Sequence, residues 1–278
     1  MKKNILIPYD FSKESKYALK LASQIALTTN SKLKIVHALG LSNLTILADD
    51  ERMVLLRDLQ VKAREALRKE MDAHNMEYDG FEIEISEDSP STAILKSTYE
   101  FDADFVLLGF KNQQIPDKVG STTRDILRYA KGSVVSLKYG MDIHDLKRII
   151  VITDFENTPI AAIENVKFLK DLSGAQLRFL LINTHKDWHT TTETEKRLKT
   201  FSDIHNLDNV AVDIINDDSV EVGILNYLKK NPADLLVMNI KKFGSKVDPR
   251  ETHLTAEIIL DNANTNVMSF AFAGRFGP

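Results

Sequence analysis

The chain has 278 residues, a formal net charge of -4 and no cysteine. This excludes disulfides, thiol catalysis and cysteine–zinc sites, and leaves no basic footprint for nucleic acid. Hydrophobic residues at 43% and charged ones at 27% describe an ordinary globular protein, with no apolar run of membrane-spanning length. Met1-Lys2-Lys3 leads directly into a strand rather than into a long apolar leader, so a cytoplasmic location is expected, with no membrane and no nucleic acid among the partners.

In chain order, Asn4 to Tyr9 reads as a buried strand ending on Asp10. An amphipathic helix follows over Lys13 to Thr28, with Tyr17, Ala18, Leu21, Ala22 and Ile25 on one face. Lys32 to Leu39 is a second strand, and a long helix is predicted over Glu51 to His74. Phe81 to Ile85 alternates as an outer strand does, and Ser91 to Glu100 is a short helix. Phe105 to Leu108 is a short apolar run suited to a parallel sheet covered on both faces. Gly109 ends that run and permits backbone conformations closed to other residues. Helical periodicity resumes after Gly120, with Ser121 or Thr122 as the expected N-cap, and the last strand is Ser133 to Lys138. Strands alternating with helices imply a parallel sheet with helices on both faces.

The pattern then repeats. Ile149-Ile-Val-Ile-Thr-Asp154-Phe matches Ile5-Leu-Ile-Pro-Tyr-Asp10-Phe position for position. Four further segments match in the same order: Gln176 onward with Lys32 onward, Asp234 with Asp104, Thr255 with Thr122, and Asn266 with Ser133. The expected fold class is therefore α/β, as two tandem five-stranded parallel-sheet domains of Rossmann-like type packed as a pseudo-dimer. The domains are placed at 1–140 and 146–278, joined near Tyr139 to Leu146.

Both halves resemble the universal stress protein family. The resemblance rests on Ile5-Leu-Ile-Pro-Tyr-Asp10-Phe-Ser12, on Val36-His37-Ala38, and on Gly120-Ser121-Thr-Thr-Arg-Asp-Ile-Leu-Arg128-Tyr-Ala130. It implies an adenine-nucleotide α-hydrolase-like fold and, for the branch carrying Gly-x2-Gly-x9-Gly-Ser/Thr, binding of ATP. It also implies last strands that pair antiparallel at the sheet edge, so that Val134–Ser136 is expected to run beside Val267–Ser269, two apolar edges covering each other. Gly109 stands at the first motif glycine, Asn112 replaces the second, and the spacer from Asn112 to Gly120 is two residues shorter and contains Pro116. The phosphate-binding end, Gly120-Ser121, is intact, and a helix start attracts anions through its free N–H groups and dipole. The second half has Asn239 for Gly109 and His253-Leu254 for Gly120-Ser121, and reads as a degenerate copy.

The resemblance implies a stress-response protein that binds ATP or ADP, with or without magnesium, in the first domain only. The candidate contacts are Asp10 (ribose or a metal), Ala38 (the base), and Gly109, Asn112, Gly120, Ser121 and Thr122 (the phosphate end). The alternative is a non-nucleotide interaction protein, with both sites decayed and an unidentified protein as partner. Each candidate also has a purely structural reading. Asp10 can cap the following helix, His37 can be a packed strand-end histidine, Lys111 and Lys118 can be solvated loop lysines, and Arg124 and Arg128 can pair with surface acids. His185 and His189 have the i, i+4 spacing of a helical metal pair, but neighbouring Thr190-Thr-Thr argues for a loop or helix start, and no metal site is assigned. The acidic block Asp213 to Asp218 falls at a strand end. No phosphate loop, nucleophile elbow or nucleophile–base pair is present. Dedicated catalysis is therefore not expected, and slow ATP hydrolysis would at most accompany binding. A further homodimer through the helical faces is compatible with this layout.

Overall fold

The computed structural model describes residues 2–40, 49–73, 81–111, 119–156, 158–239 and 254–270. The first half contains β1 (Asn4–Pro8), α1 (Lys13–Thr29), β2 (Lys32–Ala38), α2 (Asp49–Ala73), β3 (Phe81–Ser86), α3 (Pro90–Glu100), β4 (Phe105–Gly109), α4 (Ser121–Tyr129) and β5 (Ser133–Leu137). The second half contains β6 (Arg148–Ile152), α5 (Ile160–Ser173), β7 (Gln176–Asn183), α6 (Thr191–His205), β8 (Ala211–Asn216), α7 (Val220–Lys230), β9 (Leu235–Asn239), α8 (Leu254–Asn262) and β10 (Asn266–Phe270).

The inner strands β1, β4, β6 and β9 are apolar on both faces because both faces are covered, whereas the outer strands β3 and β8 are only partly buried. In β1, Ile5 and Ile7 join the layer formed with Ala18, Leu21 and Ile25 of α1, and Leu6 joins the opposite layer with Ile126 and Leu127 of α4. Four of the described helices, α1, α3, α6 and α7, start under side-chain caps. Ser12 accepts from the Ser15 amide, Ser89 precedes Pro90 at the start of α3, and Thr190 with Glu193 forms a capping box on α6. Asn30, Gly174 and Asn206 close α1, α5 and α6 in the left-handed conformation.

Among the described residues, the ten strands form one sheet, in the order β3-β2-β1-β4-β5-β10-β9-β6-β7-β8. Every pairing is parallel except the join between the halves, where β5 and β10 run antiparallel with Ser136 opposite Val267, Val135 opposite Met268 and Val134 opposite Ser269. This is the pairing that the resemblance implied for the two last strands. The chain between the halves is docked. It contains a 3₁₀ turn at Ile143–Asp145, buries Ile143 and Leu146, and is held to α1 by Gln24, which accepts from the Ile143 amide and donates to Asp142. On the same face, Asn165 of α5 donates to the Asp104 carbonyl and to Ser133 Oγ, and Lys3 donates to Asn165.

Candidate functional site

In each half the strand order reverses direction between the first and fourth strands. Ligands of open α/β sheets bind at the carboxyl ends of the strands at such a reversal. In the first half, β1 and β4 diverge there and leave a cavity of about 290 Å³. Its lining follows the strand order. Val36 and Ala38 of β2, with Pro90 and Ile94 of α3, form an apolar wall. Asp10 lies at the middle, after β1. Gly109 at the end of β4, Phe110 and Lys111 just after it, and Gly120, Thr122 and Thr123 at the start of α4 complete the far side.

Asp10 is exposed and does not cap α1; Ser12 does. Its Oδ1 instead accepts from the Ser12 amide at 3.0 Å, closing a turn over Phe11, whose φ is 61°. Burial opposes ionisation of the carboxyl, but hydrogen bonds from Ser12 and Ser15 and the nearby Lys111 ammonium outweigh it and hold Asp10 below its ordinary value. Lys111 Nζ lies 3.3 Å from Asp10 Oδ2, with both side chains exposed. The Tyr9 phenol beside it is pushed well up by burial, reinforced by the Glu70 and Asp10 carboxylates, and stays neutral.

Gly109 has a different reason for being glycine than the sequence suggested. It is not among the positive-φ residues. A Cβ there would sit 2.4 Å from the Ser15 amide nitrogen and 2.5 Å from the Glu14 carbonyl carbon. The first turn of α1 packs directly on this strand end, and only a residue without a side chain permits it. The cap of α4 also departs from expectation: Gly120 itself is the N-cap and offers no side-chain hydrogen bond. The first-turn amides of α4 thus lack the capping partner that Ser12 gives α1, which leaves them available to an anion.

Of the sequence-predicted contacts, Asp10, Ala38, Gly109, Gly120 and Thr122 come together around the cavity. Ser121 opens α4 but is exposed and is not part of the lining, and Asn112, like Lys118, lies outside the described residues. His37 is accounted for by structure: its Nδ1 is 2.7 Å from the Tyr9 carbonyl, and its ring meets Phe11 edge-on at 5.1 Å. Arg124 and Arg128 pair with an acid, Glu257 of the other half. Sequence reasoning missed Pro90 and Ile94. They belong to the third helix, and no linear motif ties that helix to the strand ends; only the right-handed crossover from β3 does.

Among the described residues, the corresponding position in the second half encloses about 10 Å³, lined by Ile152, Thr153, Asp154, Leu181, Ile182, Asp187 and Val220. Asp154 repeats the Asp10 turn, accepting from the Glu156 amide at 2.9 Å over Phe155 at φ 61°, but it is buried. Asn239 stands in place of Gly109 and is buried. His253 lies outside the described residues. His185 and His189 sit on the turn before α6 rather than on a helix, and His189 is held by Asp187 at 3.1 Å and by Arg197 at 3.0 Å. Among the described residues, no group of three His, Cys, Asp or Glu side chains could hold a metal, and no helix is long and apolar enough to cross a membrane.

Residues 1–138 match the model of the Universal stress protein family. A universal stress protein from Archaeoglobus fulgidus DSM 4304 is 19% identical with a TM-score of 0.70, over 97% of this chain and 96% of that one. A functionally unknown protein from Pseudomonas aeruginosa PAO1 is 18% identical with a TM-score of 0.60, over 97% of this chain and 92% of that one. No curated protein matches the chain. These two likenesses span both halves and concern the fold. The family match covers the first half, where the Asp10 turn and the Gly120 helix start lie; the chain belongs to the universal stress protein family, and its second half repeats the same fold.

Proposed function

We propose that the first repeat binds an adenine nucleotide, ATP or ADP, and that the protein acts by binding rather than by dedicated catalysis. The observation that carries this reading is the order of chemistry across β2, β1 and β4. An apolar wall at Val36, Ala38 and Ile94 suits a base. A carboxylate held ionised at Asp10 suits ribose hydroxyls or a cation accompanying phosphate. The uncapped start of α4, with Lys111 nearby, suits phosphate. The volume of about 290 Å³ is near the lower limit of ligand pockets, roughly 300 Å³, so part of the nucleotide would extend past the rim. The second repeat, with about 10 Å³ at the equivalent place, is read as a non-binding copy, giving one nucleotide per chain.

Titration calorimetry with ATP and magnesium tests both parts. The wild type should bind with a stoichiometry near one, and Gly120→Trp should abolish the heat while the fold survives. No heat with the wild type would overturn nucleotide binding and leave the interaction-protein reading. A stoichiometry near two that falls on mutating the second repeat alone would overturn the asymmetry.

A further inference from the structure

The join between the halves places equivalent positions of the two repeats face to face. Val135 meets Met268 across the antiparallel pair, and these are the same position of the last strand in each repeat. The same alignment, Thr122 on Thr255 and Ser133 on Asn266, sets Arg124 on Glu257 and Arg128 on Asp261. The fourth helices therefore carry opposite charges at matching places. The charges meet: Arg124 Nε lies 3.0 Å and Arg128 Nη2 3.1 Å from the same oxygen of Glu257, whose side chain is only 16% exposed. Further along the join, buried Lys138 donates to the Ala263 carbonyl at 2.8 Å, just past the end of α8, and the Asp261 carboxylate acts on the same ammonium. One side of the join is cationic and the other anionic.

A twofold join between identical repeats would be different. Two first repeats paired through β5 would set Arg124 against Arg124, and two second repeats paired through β10 would set Glu257 against Glu257. Like charges brought together at a partly buried interface act against that pairing, while opposite charges favour it. We propose that this inversion chooses the partner of each last strand: the β5 edge accepts the β10 edge of a second repeat and rejects the β5 edge of another copy of the chain. Because the fitting edge is supplied by the same molecule at high effective concentration, the join closes within one chain.

The test uses the full-length protein. Glu257→Arg places three guanidinium groups together and should lower the thermal unfolding midpoint by roughly 4 °C or more. Adding Arg124→Glu in the same chain should recover at least half of that loss. If the two changes only add, the inversion has no role in the join. A second arm reads partner choice and does not require either variant to fold alone. A chain with Glu257→Arg and Asp261→Arg is basic on both fourth helices, and one with Arg124→Glu and Arg128→Glu is acidic on both. Unfolded and refolded together, they should give a one-to-one dimer with exchanged edges by native mass spectrometry, while the refolded wild type stays monomeric at this join. A random mixture of homodimers and heterodimers, or no heterodimer at all, overturns the proposal.

Discussion

The carboxyl ends of the two half-sheets share strand order, an aspartate after the first strand and a phenylalanine turn, yet one encloses about 290 Å³ and the other about 10 Å³. The difference lies in where the chain goes next. In the first repeat α1 begins at Lys13, under a Ser12 cap, and lays its first turn on Gly109. In the second, α5 begins only at Ile160 after an uncapped Pro159, the strand end carries Asn239, and the turn closed by Thr184 and Asp187 puts Asp187 into the wall. The scaffold tolerates both. A pocket is a property of a few residues at strand ends, and the fold alone does not confer it.

The comparison can be broken most severely at Gly109. Gly109→Ala forces a Cβ against backbone rather than a movable side chain, so a loss of about 3 kcal/mol is expected in urea unfolding. A loss under about 0.5 kcal/mol, the range of ordinary surface changes, would show that the α1 contact is not what shapes this end.

A smaller effect belongs to the second repeat. His205 is 3% exposed and packs against Phe201, with the rings tilted and 4.4 Å between centroids. Burial, opposed by Glu164 and aided by Lys167, holds its imidazole below the ordinary value of 6.5. The unfolded chain therefore takes up this proton more readily than the folded one. The stability is complete above about pH 6.5 and is lost as pH falls through the folded-state value. His205→Phe should flatten that part of the profile between pH 7.5 and pH 5; identical slopes in wild type and variant would remove the histidine from the account.

The smallest change in stability is expected at Lys111. Its pair with Asp10 is exposed on both sides, so Lys111→Ala should leave unfolding within about 0.5 kcal/mol of wild type. Nucleotide affinity should fall by up to about tenfold, the size of one charge-assisted contact. A variant that binds as the wild type does would take Lys111 out of the phosphate end and leave it a surface lysine.

Much of this architecture is legible in the sequence because apolar runs and helical periodicity record burial directly. The segments Ile5–Ile7 and Ile149–Val151 are fully or nearly fully buried. The pairing of β5 with β10 was legible through the family resemblance, which marks the last strand as an edge to be covered. The site is less legible. Asp10, Ala38 and Gly120 could be placed from strand ends and a helix start. The role of Gly109 could not, because the backbone it accommodates is that of Glu14 and Ser15, about ninety-five residues earlier, and close approach leaves no local pattern. Pro90 and Ile94 were hidden for the same reason: their place in the wall depends on how α3 crosses the sheet.

Phe11 and Phe155 both hold φ at 61°, a conformation that costs a bulky side chain energy. Seen in the first repeat alone, beside a cavity, this would read as strain kept for ligand binding. The second repeat is a built-in control: it keeps the same angle, the same aspartate-to-amide bond and a buried phenylalanine where almost no cavity remains. The unusual angle therefore belongs to the way the first strand hands the chain to its helix, with the ring of Phe155 packed against Phe179 and Phe201 and that of Phe11 against Tyr9 and His37. Substituting glycine for either phenylalanine would relieve the backbone and empty a place in the core at once, so the two repeats share a local conformational debt that binding a ligand is not needed to explain.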